Sequence, residues 1–178
     1  MKRVALFGGA FDPPHLGHVL AAVWARSISG VDAVWVLPVA EHPYGKPVAP
    51  FAQRMHLCEL AFVDLPFVSV RTDECDNPGG RTITLLEQLQ ATHPDTRFAL
   101  VGGTDTERDL PNWYRRPDLL AAVDIIAIPR RGYDDIHPGA LPAISSSLVR
   151  EALRSGASID GLLPARVAEA ISQMQWYT

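Results

Sequence analysis

The chain has 178 residues, 47% hydrophobic and 20% charged, with a formal net charge of −4. That length suits one α/β domain with a real core, here residues 1–178, and the composition excludes a disordered chain. An acidic balance without a Lys/Arg run argues against a nucleic-acid partner, and Cys58 and Cys75 lack the C-x-x-C spacing of a zinc site or redox pair.

The first element is an apolar run, Val4-Ala5-Leu6-Phe7, that reads as a strand and stops at Gly8-Gly9. At about five residues it is too short for the apolar core of a signal peptide, and no later run approaches the roughly 18 residues of a membrane span. A reduced, cytoplasmic setting is therefore expected. A loop with Pro13 and Pro14 follows, then a helix opening near Leu16. Val34–Leu37 is a second strand, 51–62 a helix, Phe67–Val70 a third strand, and Ile83–Leu89 the start of a helix with Thr82 or Thr84 near its cap. Phe98–Val101 and Asp124–Ile128 are the fourth and fifth strands, and helices near Ser147–Leu153 and Pro164–Gln175 close the chain. Strands alternating with helices predict a single Rossmann-like parallel sheet with helices on both faces and a helical C-terminal segment. Ligands in such sheets bind beyond the carboxyl ends of the strands, at the topological switch point.

The loops at those ends hold the chemistry-bearing residues. After the first strand, Gly8 and Gly9 allow close approach to the backbone, and the opening helix offers unpaired N–H groups and a positive dipole end suited to phosphate. His15 and His18, at i, i+3, project to one side and can each donate to a phosphate oxygen. After the second strand, Lys46 is either a mobile phosphate cation or a solvated loop lysine. Arg54 and His56, on the next helix, read as surface residues. The acidic run Asp73-Glu74-Cys75-Asp76 reads as solvated rather than metal-binding. Thr82 could hold a carboxylate or amide at a helix start. After the fourth strand, Gly102-Gly103 again permit close approach, Asp105 could accept from a sugar or base edge, and Trp113 either stacks on a ring or plugs the core. In Ile144-Ser145-Ser146-Ser147-Leu148-Val149-Arg150, an arginine stands in the first turn of a helix, where the dipole disfavours a cation unless a polyanion binds there.

Gly9-Ala10-Phe11-Asp12-Pro13-Pro14-His15-Leu16-Gly17-His18 resembles the G-x-F-D-P-x-H-x-G-H signature of a nucleotidyltransferase superfamily, whose members transfer a nucleotide monophosphate from a nucleoside triphosphate and release pyrophosphate. Ile144–Arg150 is similar to the superfamily's I-S-S-T-x-x-R motif. Gly103-Thr104-Asp105, with Trp113-Tyr114 eight residues on, and the tail from Ser155 to Ile171 resemble the bacterial nicotinate-nucleotide adenylyltransferases. The likeness runs from about Val4 to about Ile171.

The resemblance implies that Gly8, Gly9, Ala10, Phe11, Asp12, His15 and His18 line an ATP site, with both histidines on the phosphates. It implies that Ile144, Ser145, Ser146, Ser147 and Arg150 hold the adenylyl portion and phosphates, and Gly103 and Asp105 the ribose and base. Thr82, the backbone of Ile83, Trp113 and Tyr114 would form the nicotinate side. His15, His18, Lys46 and Arg150 would share the stabilisation of charge, with Mg²⁺ carried mainly by the ATP phosphates and no protein metal site. The partners implied are ATP and nicotinate mononucleotide, without nucleic acid or membrane; monomer and homo-oligomer both stay open. Three positions depart from the pattern: Ala10 for Thr or Ser, Ser147 for Thr, and Arg81 for the Tyr often found before the Thr. The rival readings are nicotinamide mononucleotide or another phosphate acceptor, and a nucleotide-binding sensor without turnover, in whose favour Ala10 speaks.

Overall fold

The computed structural model describes residues 1–41, 45–103, 110–132 and 137–177. Strands β1 (Lys2–Gly9), β2 (Ala33–Pro38), β3 (Val68–Val70), β4 (Thr96–Gly103) and β5 (Asp124–Ile128) form one parallel sheet in the order β3-β2-β1-β4-β5. The chain runs outward from β1 to β3 on one side and resumes at β4 on the other side of β1. The switch point thus lies between β1 and β4, where Gly8 and Gly9 end one strand and Gly102 and Gly103 the other.

Alternation along the strands builds two cores. Ala5, Phe7, Val34, Val36, Ala99 and Val101 face helices α1 (Leu16–Ile28), α2 (Phe51–Phe62), α5 (Ser146–Ser155) and α6 (Ala165–Met174). Val4, Leu6, Trp35, Leu37, Phe98 and Leu100 face α3 (Thr82–Thr92) and α4 (Arg116–Ala122). Short 3₁₀ turns occupy Asp73–Asp76 and Leu110–Asn112. The doubly covered sheet is the architecture expected from the sequence. Helix α4 is an addition to it: seven residues with Pro117 at the start give too short a periodic pattern to read. Arg81 is the N-cap of α3, so Thr82 opens the helix next to its cap, as expected.

The tail is tied back to the site. Leu16 N–H donates to Leu162 O at 2.9 Å, so the approach to α6 caps the opening of α1. Among the described residues no helix is long and apolar enough to cross a membrane.

Candidate active site

The loop leaving β1 is held from several directions. Phe11, at φ 49°, turns its ring inward, edge-on to Phe7 and Phe62 and 4.7 Å from the His18 ring. It therefore shapes the site from behind, as a core residue that is 1% exposed. Asp12 is likewise turned in: Oδ1 accepts from Ala49 N at 3.2 Å and from Tyr177 Oη at 2.8 Å, and Oδ2 lies 3.7 Å from Arg150 Nη1. Ala10 O accepts from Arg54 Nη1 at 2.8 Å.

Arg54 corrects the sequence reading. It is a fully buried side chain whose guanidinium donates to Ala49 O, Ala10 O and Val39 O, each at 2.8 Å, and so ties the loop after β1 to the one after β2. His56, by contrast, is exposed as expected. The acidic run is also corrected at one position: Glu74 is 6% exposed and accepts from Asn77 Nδ2 at 2.8 Å, and burial raises its carboxyl above the usual range.

His15 is the N-cap residue of α1, in extended conformation, and its backbone N–H donates to His18 Nδ1 at 3.1 Å. With Nδ1 accepting, a neutral His18 carries its proton on Nε2. The two rings stack with centroids 3.8 Å apart. Gly17 makes room for this: a Cβ there would sit 3.0 Å from His15 Nδ1 and Cε1. Burial first, then the nearby Arg130 charge, lowers His15 to about 4. Burial, His15 and Arg130 push His18 well below its ordinary value. Both imidazoles are therefore neutral at physiological pH, able to donate a hydrogen bond but carrying no positive charge.

The serine-rich segment docks onto the same loop. Ser145 caps α5, accepting from Leu148 N at 3.1 Å; Ser146 Oγ donates to Pro13 O at 2.9 Å; Arg150 Nη1 donates to Asp12 O, with Nη2 3.4 Å from Ser147 Oγ. Two stretches separated by more than a hundred residues thus meet, as the paired motifs imply.

Two cavities open at the switch point. One, about 260 Å³, is lined by Gly8, His15, His18, Gly103, Arg130, Ile144, Ser145 and Ser146, among others. The other, about 210 Å³, lies on the opposite side of the sheet end and includes Gly8, Gly9, Ala10, Glu74, Thr82, Val101 and Trp113. Gly8 and Val101 border both. A Cβ at Gly8 would meet no atom within 4 Å, so any side chain there would project into the space between them.

Not every residue singled out from the sequence lines these cavities. Arg150 bears on the loop carbonyl, Tyr114 is 54% exposed, and Lys46 is exposed and borders neither cavity. Ile83 is buried beneath the start of α3. Asp105 lies outside the described residues. Arg130 and Glu74, by contrast, do line the cavities and were not among the candidates. The only signal for Arg130 was its place just after the fifth strand. No cluster of three or more His, Cys, Asp or Glu side chains converges among the described residues, and Asp12 is committed to protein donors.

The cytidylyltransferase-like family matches residues 6–152. A protein of Anaeromyxobacter dehalogenans named for nicotinate-nucleotide adenylyltransferase activity is 41% identical, over 99% of this chain and 97% of its own length. The crystal structure of a Vibrio parahaemolyticus protein named for the same activity superposes with a TM-score of 0.78 at 25% identity, over 97% of this chain and 99% of that one. The nicotinic acid mononucleotide adenylyltransferase of Plasmodium falciparum, solved with NaAD, shares the fold at a TM-score of 0.85 and 18% identity, over 99% and 98% of the chains.

Proposed function

The chain belongs to the cytidylyltransferase-like family and, within it, to the nicotinate-nucleotide adenylyltransferases, and from that membership we propose how its residues divide the work of transferring the adenylyl group of ATP to nicotinate mononucleotide. The observation that carries this reading is the pair of cavities meeting at Gly8 and Val101. ATP occupies the cavity between the histidines and the serine-rich segment; the pyridine nucleotide occupies the cavity beside Thr82 and Trp113. Their phosphates then meet over Gly8, where no side chain intervenes.

In the reaction, an oxygen of the acceptor's 5′-phosphate attacks the α-phosphorus of ATP in line. The bond from that phosphorus to the bridging oxygen of the β-phosphate breaks, and pyrophosphate leaves with the electron pair. The attacking oxygen is already anionic, so no protein nucleophile or general base is required; positioning and charge stabilisation remain. His18, with Nδ1 occupied by the His15 amide, presents Nε2–H as a donor. Ser145 and Ser146, at the start of α5, bring that helix N-terminus to the same cavity. Mg²⁺ would enter on the triphosphate oxygens. A cytoplasmic setting fits Cys58 and Cys75, both free thiols.

Arg81 bears on the choice of acceptor. Its guanidinium lies 5.2 Å from the Tyr114 ring centroid, at the N-cap of α3, and its chain neighbours Gly80 and Thr82 line the pyridine cavity. That favours the acid over the amide.

The test is pyrophosphate release by the purified protein with ATP and nicotinate mononucleotide, nicotinamide mononucleotide or phosphopantetheine, the dinucleotide identified by mass. Release matched one for one by nicotinate adenine dinucleotide is expected. ATP binding without release under any acceptor would establish the sensor instead.

A further inference from the structure

The cavity assigned to ATP must hold a polyanion, yet both its histidines are neutral at physiological pH. Of the cations anticipated from the sequence, Lys46 is exposed and borders neither cavity, and Arg150 donates to Asp12 O beside Ser147. Among the described residues that line this cavity, Arg130 is the single Lys or Arg side chain.

Arg130 is also fixed in place. It lies just past β5, where Leu141 N donates to Pro129 O at 2.8 Å and Arg131 N to Leu141 O at 2.9 Å, clamping the backbone on both sides. Its Nη2 donates to Ile144 O at 2.8 Å, immediately before the three serines. The guanidinium is therefore held between the histidines and the N-terminus of α5. Its charge is felt by both imidazoles, which places it within electrostatic reach of each. A planar fork with permanent charge suits a phosphate better than a flexible ammonium does.

We propose that Arg130, the one Lys or Arg among the described residues that line this cavity, grips the ATP polyphosphate. The proposal rests on the reading of this cavity as the ATP site. The H-x-G-H loop and the serine-rich helix donate hydrogen bonds around it, and Arg130 supplies the charge that sets polyphosphate affinity.

Titration calorimetry with ATP, adenosine and inorganic tripolyphosphate tests this without need of the acceptor. Arg130→Gln is expected to weaken ATP and tripolyphosphate by about tenfold to a hundredfold, the scale of one charged hydrogen-bonding partner, and to leave adenosine within about twofold. Arg130→Lys should recover part of the loss. Arg154→Gln, an exposed arginine further along α5, is the charge-matched control and should leave all three ligands unchanged. In Arg130→Gln the His15 imidazole, followed by NMR, should titrate above about 4, because a neighbouring cation has been removed. Unaltered tripolyphosphate and ATP affinity in Arg130→Gln would overturn the assignment, as would an equal loss of adenosine, which would mark a purely structural role. Wild-type protein that bound neither ATP nor tripolyphosphate would instead overturn the ATP-site reading itself. Failure of transfer to every acceptor, with the polyphosphate effect intact, would sink the proposed reaction and leave Arg130 standing.

Discussion

The Tyr177 hydroxyl donates a 2.8 Å hydrogen bond to Oδ1 of Asp12, 165 residues away in sequence. Asp12 carries the carbonyl on which Arg150 rests, so the end of the chain, α5 and the H-x-G-H loop close on one buried carboxylate. Burial, and then the Asp12 carboxylate, push the Tyr177 hydroxyl above its ordinary range, so it remains a donor throughout the working range of pH.

Tyr177→Phe removes that donor and keeps the ring. A hydrogen bond to a charged group contributes about 1.5–3 kcal/mol, and Ala49 N remains on the same oxygen, so a loss near about 1.5 kcal/mol is expected in urea unfolding. Transfer should slow less than it does for a histidine variant, because the groups proposed to face the phosphates are untouched. Equal stability of the two proteins would show that the tail contact is incidental.

Arg54 makes a stronger claim. Its guanidinium serves three loop carbonyls and is fully buried, so Arg54→Met leaves buried acceptors without donors. At about 1–3 kcal/mol for each unsatisfied group, the expected loss is at least about 3 kcal/mol by urea unfolding. Arg54→Lys should not rescue it, because an ammonium cannot span the three directions of the fork. A stability change below about 1 kcal/mol in Arg54→Met would contradict this account.

What could be read from the chain itself divides along a physical line. The sheet, the switch point and the two nucleotide motifs were legible because local pattern dictates them: alternating apolar residues, glycines at strand ends, and a serine cap opening α5. Arg54 and Glu74 were misread because a charged residue on an amphipathic helix or in an acidic run looks solvated. Their burial depends on partners brought from other loops, as when Arg54 reaches Ala10 and Val39. Arg130 follows β5 with no motif of its own, and its place beside His15 and His18 exists only once β5 is laid next to β4.

The histidine pair gives a pH signature. His15 is lowered to about 4 and His18 well below its ordinary value, whereas both titrate near 6.5 when unfolded. The unfolded chain therefore binds more protons as pH falls below about 6.5. Stability is complete above that value and is lost between about 6.5 and about 4, with His15 alone contributing on the order of 3 kcal/mol. His15→Gln and His18→Gln should flatten this acid limb in thermal melts across pH. His18→Ala should separately lower kcat by roughly 10²-fold, the scale of one preorganised donor; a fall below about threefold would remove it from that role.

Glu74 runs in the opposite sense. Burial raises its carboxyl, so the folded protein keeps the proton to higher pH than the unfolded chain does. Its contribution is then lost as pH rises from the usual carboxylate range through the raised value. Glu74→Gln keeps an acceptor for Asn77 Nδ2 and removes the buried charge. The variant should be more stable than the parent at pH 7, and the difference should vanish in acid below the ordinary carboxylate range. A variant less stable at pH 7 would mean that the ionised carboxylate has a partner that makes it favourable there.

Trp113 and Tyr114, adjacent in sequence, should separate in function. Trp113 borders the cavity assigned to the pyridine nucleotide and packs against the core beneath α3 and α4, whereas Tyr114 is 54% exposed with Arg81 over its ring. A stacking aromatic contributes about 0.5–1.5 kcal/mol beyond the area it buries, so Trp113→Ala should raise KM for nicotinate mononucleotide about tenfold or more. KM for ATP should stay within about threefold, since the two cavities share only Gly8 and Val101 among their described lining residues. Tyr114→Ala should act more weakly and through Arg81, changing the ratio of kcat/KM for acid and amide acceptors more than it changes either KM for ATP or stability. Equal losses for both substrates in Trp113→Ala would mean that the indole supports the sheet end as a whole rather than the acceptor.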